Sequence, residues 1–349
     1  MMSGTRWTGN VTSPGPAGER TANELLGAGP PALNLPRVPE TIRVRMRATG
    51  TKLVVLDDDP TGTQSVQQVP VLTRWGEDDG KWAFSQPSDV FFVLTNTRSL
   101  DESETAALLR EVLTALDAVA SGIGQRYAVL SRGDSTLRGH FPLETDVIAG
   151  FAAEHGHPYD AVLITPAYFE AGRVTTGDVH YARSGDSFVP VGSTDYASDA
   201  TFGFRSSNLR DYVEEKSRGR LKAQDVVSVT IEDIRLGGPS RVAEILATCH
   251  DETPVVVNAV VQADLEVVAL GALDAEDAGT TILYRTGPSF VPVRAGLVTR
   301  PPVTPGPCCG GRQIPGHGVV VAAPHPDVTS RPPAPLLTPP AHIQPSRSR

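Results

Sequence analysis

Two stretches of this chain place polar and ionisable groups directly after short apolar runs. In the first, Leu53-Val54-Val55-Leu56 leads into Asp57-Asp58-Asp59-Pro60-Thr61-Gly62-Thr63. A buried strand thus delivers three carboxylates and then a Pro-Thr-Gly turn at its carboxyl end, the edge at which open α/β sheets bind ligands. Carboxylates there can hydrogen-bond a polyol, take a proton from an attacking hydroxyl, or hold Mg²⁺ beside a phosphate. The same residues read equally as a solvated acidic turn that ends a strand.

The second stretch, Ser131-Arg132-Gly133-Asp134-Ser135-Thr136-Leu137-Arg138-Gly139-His140, again follows a strand and precedes a helix that starts near Pro142. Arginine clamps a carboxylate or phosphate with two donors, and Ser or Thr hydroxyls and helix N-terminal amides satisfy the remaining oxygens of a small anion. A polar loop closed by an internal Asp134–Arg138 ion pair is the alternative. A third block, Thr165-Pro166-Ala167-Tyr168-Phe169-Glu170-Ala171-Gly172-Arg173-Val174-Thr175, reads as a lid or specificity loop. His180 beyond it has no metal-ligand spacing around it and reads as a structural or exposed histidine.

The elements that position these groups follow from hydrophobic periodicity. Apolar runs at 53–56, 69–72, 90–94, 127–130, 161–164, 226–229, 255–257 and 281–284 are candidate strands. Between them, helices are expected at 102–121, where Ala106, Leu109, Val112, Leu113, Leu116 and Val119 fall near helical spacing, and at 142–153, 208–216, 240–249 and 264–277. Such alternation predicts an α/β fold, a mostly parallel sheet with helices on both faces, forming a single main domain. A long loop is expected from about 165 to 204.

The termini read differently. Residues 1–50 are rich in Gly, Pro, Thr and Arg and are expected to form a flexible leader. After Arg300 thirteen of the thirty prolines fall in fifty residues with one acidic residue, Asp327, so residues 296–349 are expected to be a disordered Pro-rich tail.

Composition narrows the partner. A net charge of -9 argues against a phosphate-backbone binder, so a small molecule is expected and no nucleic acid. Three cysteines, Cys249 and the adjacent Cys308 and Cys309, suit neither a metal knuckle nor a disulfide framework, which points to a reducing, cytoplasmic setting. No run approaches the length of a membrane span. The common phosphate-loop, dinucleotide, hydrolase and zinc motifs are absent from the sequence.

Taken together, Asp-Asp-Asp-Pro-Thr-Gly-Thr-Gln at 57–64, Ser-Arg-Gly-Asp-Ser-Thr-Leu-Arg-Gly-His at 131–140 and Pro-Ala-Tyr-Phe-Glu-Ala-Gly-Arg at 166–173 resemble the four-carbon acid sugar kinase family. The likeness continues through 199–204, 207–209, 214–216, 257–259 and 284–290, and covers roughly residues 20 to 300. It implies a substrate-binding N-terminal domain, here 51–295, and ATP-dependent, Mg²⁺-assisted phosphorylation of a tetronate such as threonate, erythronate or an oxo form. It also implies a second, nucleotide-binding domain, of which 296–349 holds only a remnant. Position by position, the resemblance puts Asp58, Asp59, Thr61 and Gly62 at the substrate edge, with Asp58 or Asp59 as the catalytic base. Arg132, Asp134, Ser135, Thr136, Arg138 and Gly139 would grip the acid. A truncated ATP-dependent kinase of four-carbon sugar acids, active or inactive, is the expectation, with a sugar-acid-binding protein without turnover or a decayed gene product as the alternatives.

Overall fold

A computed structural model describes residues 18–27, 29–60 and 62–298. In chain order the first elements are β1 (Arg20–Thr21), α1 (Ala22–Leu26), α2 (Val38–Thr49), β2 (Lys52–Asp57), β3 (Val71–Leu72), α3 (Glu77–Ser85) and β4 (Val90–Leu94). The middle of the chain holds α4 (Glu102–Ile123), β5 (Tyr127–Arg132), α5 (Leu143–Glu154), β6 (Ala161–Thr165), β7 (Arg173–Thr176), β8 (Val179–Ser184), β9 (Ser187–Pro190) and α6 (Leu209–Lys216). The last are β10 (Val227–Val229), α7 (Ile231–Leu246), β11 (Thr253–Val257), α8 (Gln262–Asp277), β12 (Ile282–Thr286) and α9 (Phe290–Arg294).

Eight strands form one sheet in the order β10-β11-β6-β12-β5-β2-β4-β3. Every pairing within it is parallel. The reason lies in strands such as β2, which is apolar at successive positions. Leu53 and Val55 pack into one apolar cluster with Val38, Ile42 and Met46 of α2 and with residues of α7 and α8. Val54 and Leu56 pack into the other, against α3, α4, α5 and α6. A strand buried on both faces suits a parallel sheet between two helix layers. The α/β expectation is met.

Helix α4 shows how the local sequence sets an element. Asp101 and Glu104 form a reciprocal capping box, Leu109, Val112, Leu113, Leu116 and Val119 make the buried stripe, and Gly124 ends the helix with a left-handed φ of 68°.

Three expectations are corrected. Within the supposed leader, α1 and α2 are helical, and Leu25, Val38, Ile42 and Met46 are buried. Val38, Ile42 and Met46 recur every four residues, so they form one narrow stripe, and Arg45 ties the helix to α8 through Asp274 at 2.7 Å and Asp277 at 2.6 Å. The supposed loop from 165 to 204 contains β7, β8 and β9, which with β1 build a four-stranded antiparallel sheet. The helix expected at 240–249 starts earlier, at Ile231, and is kinked at Gly238, whose φ of 65° precedes Pro239. Residues 1–17 of the leader and 299–349 of the tail lie outside the described residues.

Candidate functional site at the carboxyl edge of the sheet

The sheet register lines up the ends of five strands. Leu94, Asp57, Arg132, Thr286 and Thr165 are paired neighbours across β4, β2, β5, β12 and β6. From β2 the chain runs to β3 and β4 on one side and then to β5 on the other, so the loops after β2 and β5 flank a topological switch point. The sequence motifs therefore meet because the topology brings their loops to one edge.

Arg98 joins them. It sits in the tight turn Thr97–Ser99 that follows β4. Its guanidinium lies 2.9 Å from Asp58 and 2.7 Å from Asp59, and 3.8 Å from Asp134 in the other loop. One cation thus holds two of the three acidic residues of the first motif to the centre of the second. Burial tends to raise Asp134, but Arg98, Arg138 and the Thr136 hydroxyl outweigh it and hold that carboxyl below the usual range.

Beneath this lies a second layer. Arg132 pairs with Asp57 at 2.9 Å, both almost wholly buried. Burial nevertheless pushes Asp57 up to about 6, against the pull of Arg132. Asp58 is also raised, by burial first and by Glu144, with Arg98 pulling the other way. Arg285 donates to Ser131 Oγ at 2.7 Å and to Glu144, whose other oxygen accepts from Thr97 Oγ1 at 2.5 Å. Gly133 is required here, because a Cβ would come within 2.4 Å of the Arg285 guanidinium. Gly139 has φ +120°, and a Cβ on it would stand 3.1 Å from Asp58 Oδ2.

The residues expected at the site take distinct places. Asp58 is sealed, whereas Asp59 keeps 24% of its side chain exposed. Thr61 lies outside the described residues, and Gly62 opens the short turn Gly62–Ser65. Arg132 faces inward to Asp57. Arg138 pairs with Asp134 at 2.7 Å, so the internal ion pair weighed from the sequence is present. Thr136 donates to Asp134 through its hydroxyl and through its backbone N–H at 3.2 Å. Ser135 is buried, and its carbonyl meets Nε2 of His180 at 2.8 Å. Most of this loop is therefore spent on its own shape, which pre-organises the groups that remain open.

Sequence reasoning missed Arg98, Glu144 and Arg285 as members of this network. Arg285 carried a readable signal, a charge inside the apolar run Ile282-Leu283-Tyr284-Arg285-Thr286. Arg98 carried none beyond lying shortly after a strand end.

Among the described residues, the buried side-chain polar atoms without a hydrogen-bond partner are Asp57 Oδ2, Asp58 Oδ2, Arg98 Nε, Arg132 Nε, Thr165 Oγ1, Arg173 Nε, Thr286 Oγ1 and Arg294 Nη1. All except Arg294 belong to this edge or to the hairpin beside it. Each unpaired group costs on the order of 1–3 kcal/mol, so their concentration marks a place kept polar for something other than stability. A cavity of about 20 Å³ between Gly133, Asp134, Arg138, Pro166, Arg285 and Thr286 has room for a water rather than a four-carbon acid. A roomier cavity, about 530 Å³, lies at the opposite edge beside the starts of β2, β5 and β12, away from these groups.

The carboxylates of Asp58, Asp59 and Asp134 converge on Arg98 and leave no shared open position. Among the described residues no cluster of three or more His, Cys, Asp or Glu could hold a metal ion. No helix among them is long and apolar enough to cross a membrane.

A family model described as the sugar-binding N-terminal domain matches residues 53–294. A comparison with curated proteins gives no match. Among solved structures, a Haemophilus influenzae protein of the DUF1537 family aligns with a TM-score of 0.51 at 19% identity, over 74% of this chain and 57% of that one. A DUF1537 domain from Bordetella bronchiseptica, a domain-swapped dimer with bound citrate, aligns with a TM-score of 0.51 at 21% identity, over 70% of this chain and 57% of that one. The chain thus spans a little over half the length of these proteins, and at such identities the likeness is one of fold.

Proposed function

The chain belongs to the sugar-binding N-terminal domain family, and from that premise we propose that it binds a small sugar acid of the threonate or erythronate type at the carboxyl edge of its eight-stranded sheet. The observation that carries this reading is the gathering of unpartnered buried polar atoms at that edge, on carboxylates, guanidiniums and hydroxyls together. A polyhydroxy acid offers what such a set needs, hydroxyls for carboxylates and a carboxylate for arginines. The citrate bound by the Bordetella relative shares with a tetronate a carboxylate beside a hydroxyl, although it carries three carboxylates and one hydroxyl.

The four-carbon acid sugar kinase resemblance implies phosphorylation of one ligand hydroxyl by ATP with Mg²⁺. Within that reaction this chain's own part is to hold the acid and to present Asp59 as acceptor of the hydroxyl proton, with Arg98 fixing the carboxylate in place.

Thermal unfolding of the full chain with a panel of tetronates, with ATP consumption followed in the same samples, tests the proposal. An acid at a hundredfold excess over its dissociation constant should stabilise the fold by about 2.7 kcal/mol. No shift with any acid in a folded sample would overturn the reading. Stabilisation without ATP consumption is the expected result, and acid-dependent consumption would assign the chain full kinase activity.

A further inference from the structure

The arginines at the sheet edge are not equivalent. Arg98 meets Asp58, Asp59 and Asp134, Arg132 meets Asp57, Arg138 meets Asp134, and Arg285 meets Glu144. Arg173, at the start of β7, differs from all of them. Among the described residues it has no carboxylate partner, its Nε is buried with no acceptor, and its one side-chain hydrogen bond is a long one of 3.4 Å to the Tyr196 hydroxyl.

Its surroundings bring a second guanidinium close, that of Arg138, which has its own carboxylates in Asp134 and Asp199. Arg138 lies 5.1 Å and Arg173 5.7 Å from the centre of the Tyr196 ring, so two guanidiniums share one aromatic surface. The phenol of Tyr168 is raised by burial and by Glu170, with Arg132 and Arg173 pulling the other way. The backbone holds Arg173 in place, because Tyr168 and Arg173 exchange N–H···O bonds of 3.0 and 2.9 Å across the turn that enters β7. A half-buried guanidinium costs free energy unless an anion meets it. In this protein that anion must come from outside the described residues.

We infer that Arg173, flanked by Tyr196 and Tyr168, receives the carboxylate of the bound acid and so fixes the ligand's polarity. The carboxylate end lies over the β7–β8 hairpin and the hydroxyl end over Asp59. This rests on the sugar-acid reading and adds to it a specificity rule: the site selects for an anionic head group and rejects the neutral polyol of the same carbon skeleton. Specificity of this kind arises because a buried charge left unpaired penalises the neutral analogue.

Calorimetric titration of the full-length protein with threonate and with threitol, its uncharged counterpart, tests the inference. The wild type should prefer threonate by roughly 30-fold or more, the scale of losing one partner of a hydrogen-bonded charge pair. Arg173→Gln should abolish that preference by weakening threonate while leaving threitol unchanged. Arg173→Lys, which keeps the charge but loses the planar fork, should retain part of the preference and serves as the working variant if the first does not fold. A threonate-to-threitol ratio as high in the variants as in the wild type would place the carboxylate elsewhere and overturn the assignment. Wild-type protein that binds no acid would instead sink the sugar-acid reading itself, and the assignment with it.

Discussion

At the scale of single residues, the pair Asp58 and Arg98 determines how the site responds to protons. Burial raises Asp58 to about 7, so it gains a proton as the pH falls through neutrality. The protonated form leaves Arg98 with less opposing charge, while a tetronate, with an ordinary carboxyl, stays anionic. Affinity for the acid should therefore rise by roughly tenfold between pH 8.5 and pH 5.5, the scale of one charge about 12 Å away at an effective dielectric constant near 20. Asp58→Asn should lose the part of that rise centred near neutrality and keep only what Asp57, pushed up to about 6, adds toward the acid end, and titrations across the range check it. Affinity that falls toward pH 5.5 in the wild type would show that Asp58 does not act in this way. Much of this site was legible in the chain: the acidic turn at 57–59 and the loop at 131–140 are contiguous in sequence, and their residue types announce them. Arg98, Glu144 and Arg285 were not, because their contacts at the site span 40 to 154 residues of sequence and arise only when β4, β5, β12 and α5 are assembled. The inward turn of Arg132 toward Asp57 is a tertiary fact of the same kind.

At the scale of elements, strands and helices with broad apolar signals were readable and narrow or short ones were not. Helix α4 presents a wide stripe with caps at both ends, and it appears within two residues of its expected limits. Helix α2 buries only Val38, Ile42 and Met46 in a segment that also carries Arg43, Arg45 and Arg47, and its burial becomes evident only when β2 and α8 stand beside it. Strands β7, β8 and β9 hide among Gly, Ser and Asp turn residues, and they gain stability from pairing across the hairpins rather than from an apolar run. The burial of α2 makes a definite claim. Ile42→Ala should cost about 2–5 kcal/mol, the range for emptying a packed aliphatic site, whereas a substitution in a solvated leader would stay within about 0.5 kcal/mol. Urea unfolding measures the difference, and a midpoint equal to that of the wild type would remove α2 from the core.

At the scale of the whole described region, the two sheets are joined at the place where the ligand is proposed to sit. Thr175 of β7 exchanges backbone hydrogen bonds of 2.9 Å with Ala259, just after β11, and Asp178 accepts from Ser228 and Asn258. His180 of β8 completes the joint: fully buried, it meets Thr175 Oγ1 through Nδ1 at 2.9 Å and the Ser135 carbonyl through Nε2 at 2.8 Å. The histidine that the sequence offered as structural thus ties the small sheet to the loop that carries Asp134, Thr136 and Arg138. Burial pushes it down to about 4, below its ordinary 6.5, so the neutral ring is the one that folds. Its contribution to stability is therefore complete above pH 6.5 and is lost as the pH falls toward 4, by about 2–3 kcal/mol at pH 4.5. In a His180→Gln variant that loss is absent, so the stability gap between wild type and variant should narrow by that amount between pH 7.5 and pH 4.5. Urea titrations at the two pH values read it, and a gap that stays constant would mean that His180 is not buried as the neutral ring. The two proton effects oppose each other: protonating Asp58 strengthens the grip on an anion, while protonating His180 loosens the loop that provides it. Acid binding should accordingly peak on the mildly acidic side of neutrality, between the titrations of these two groups.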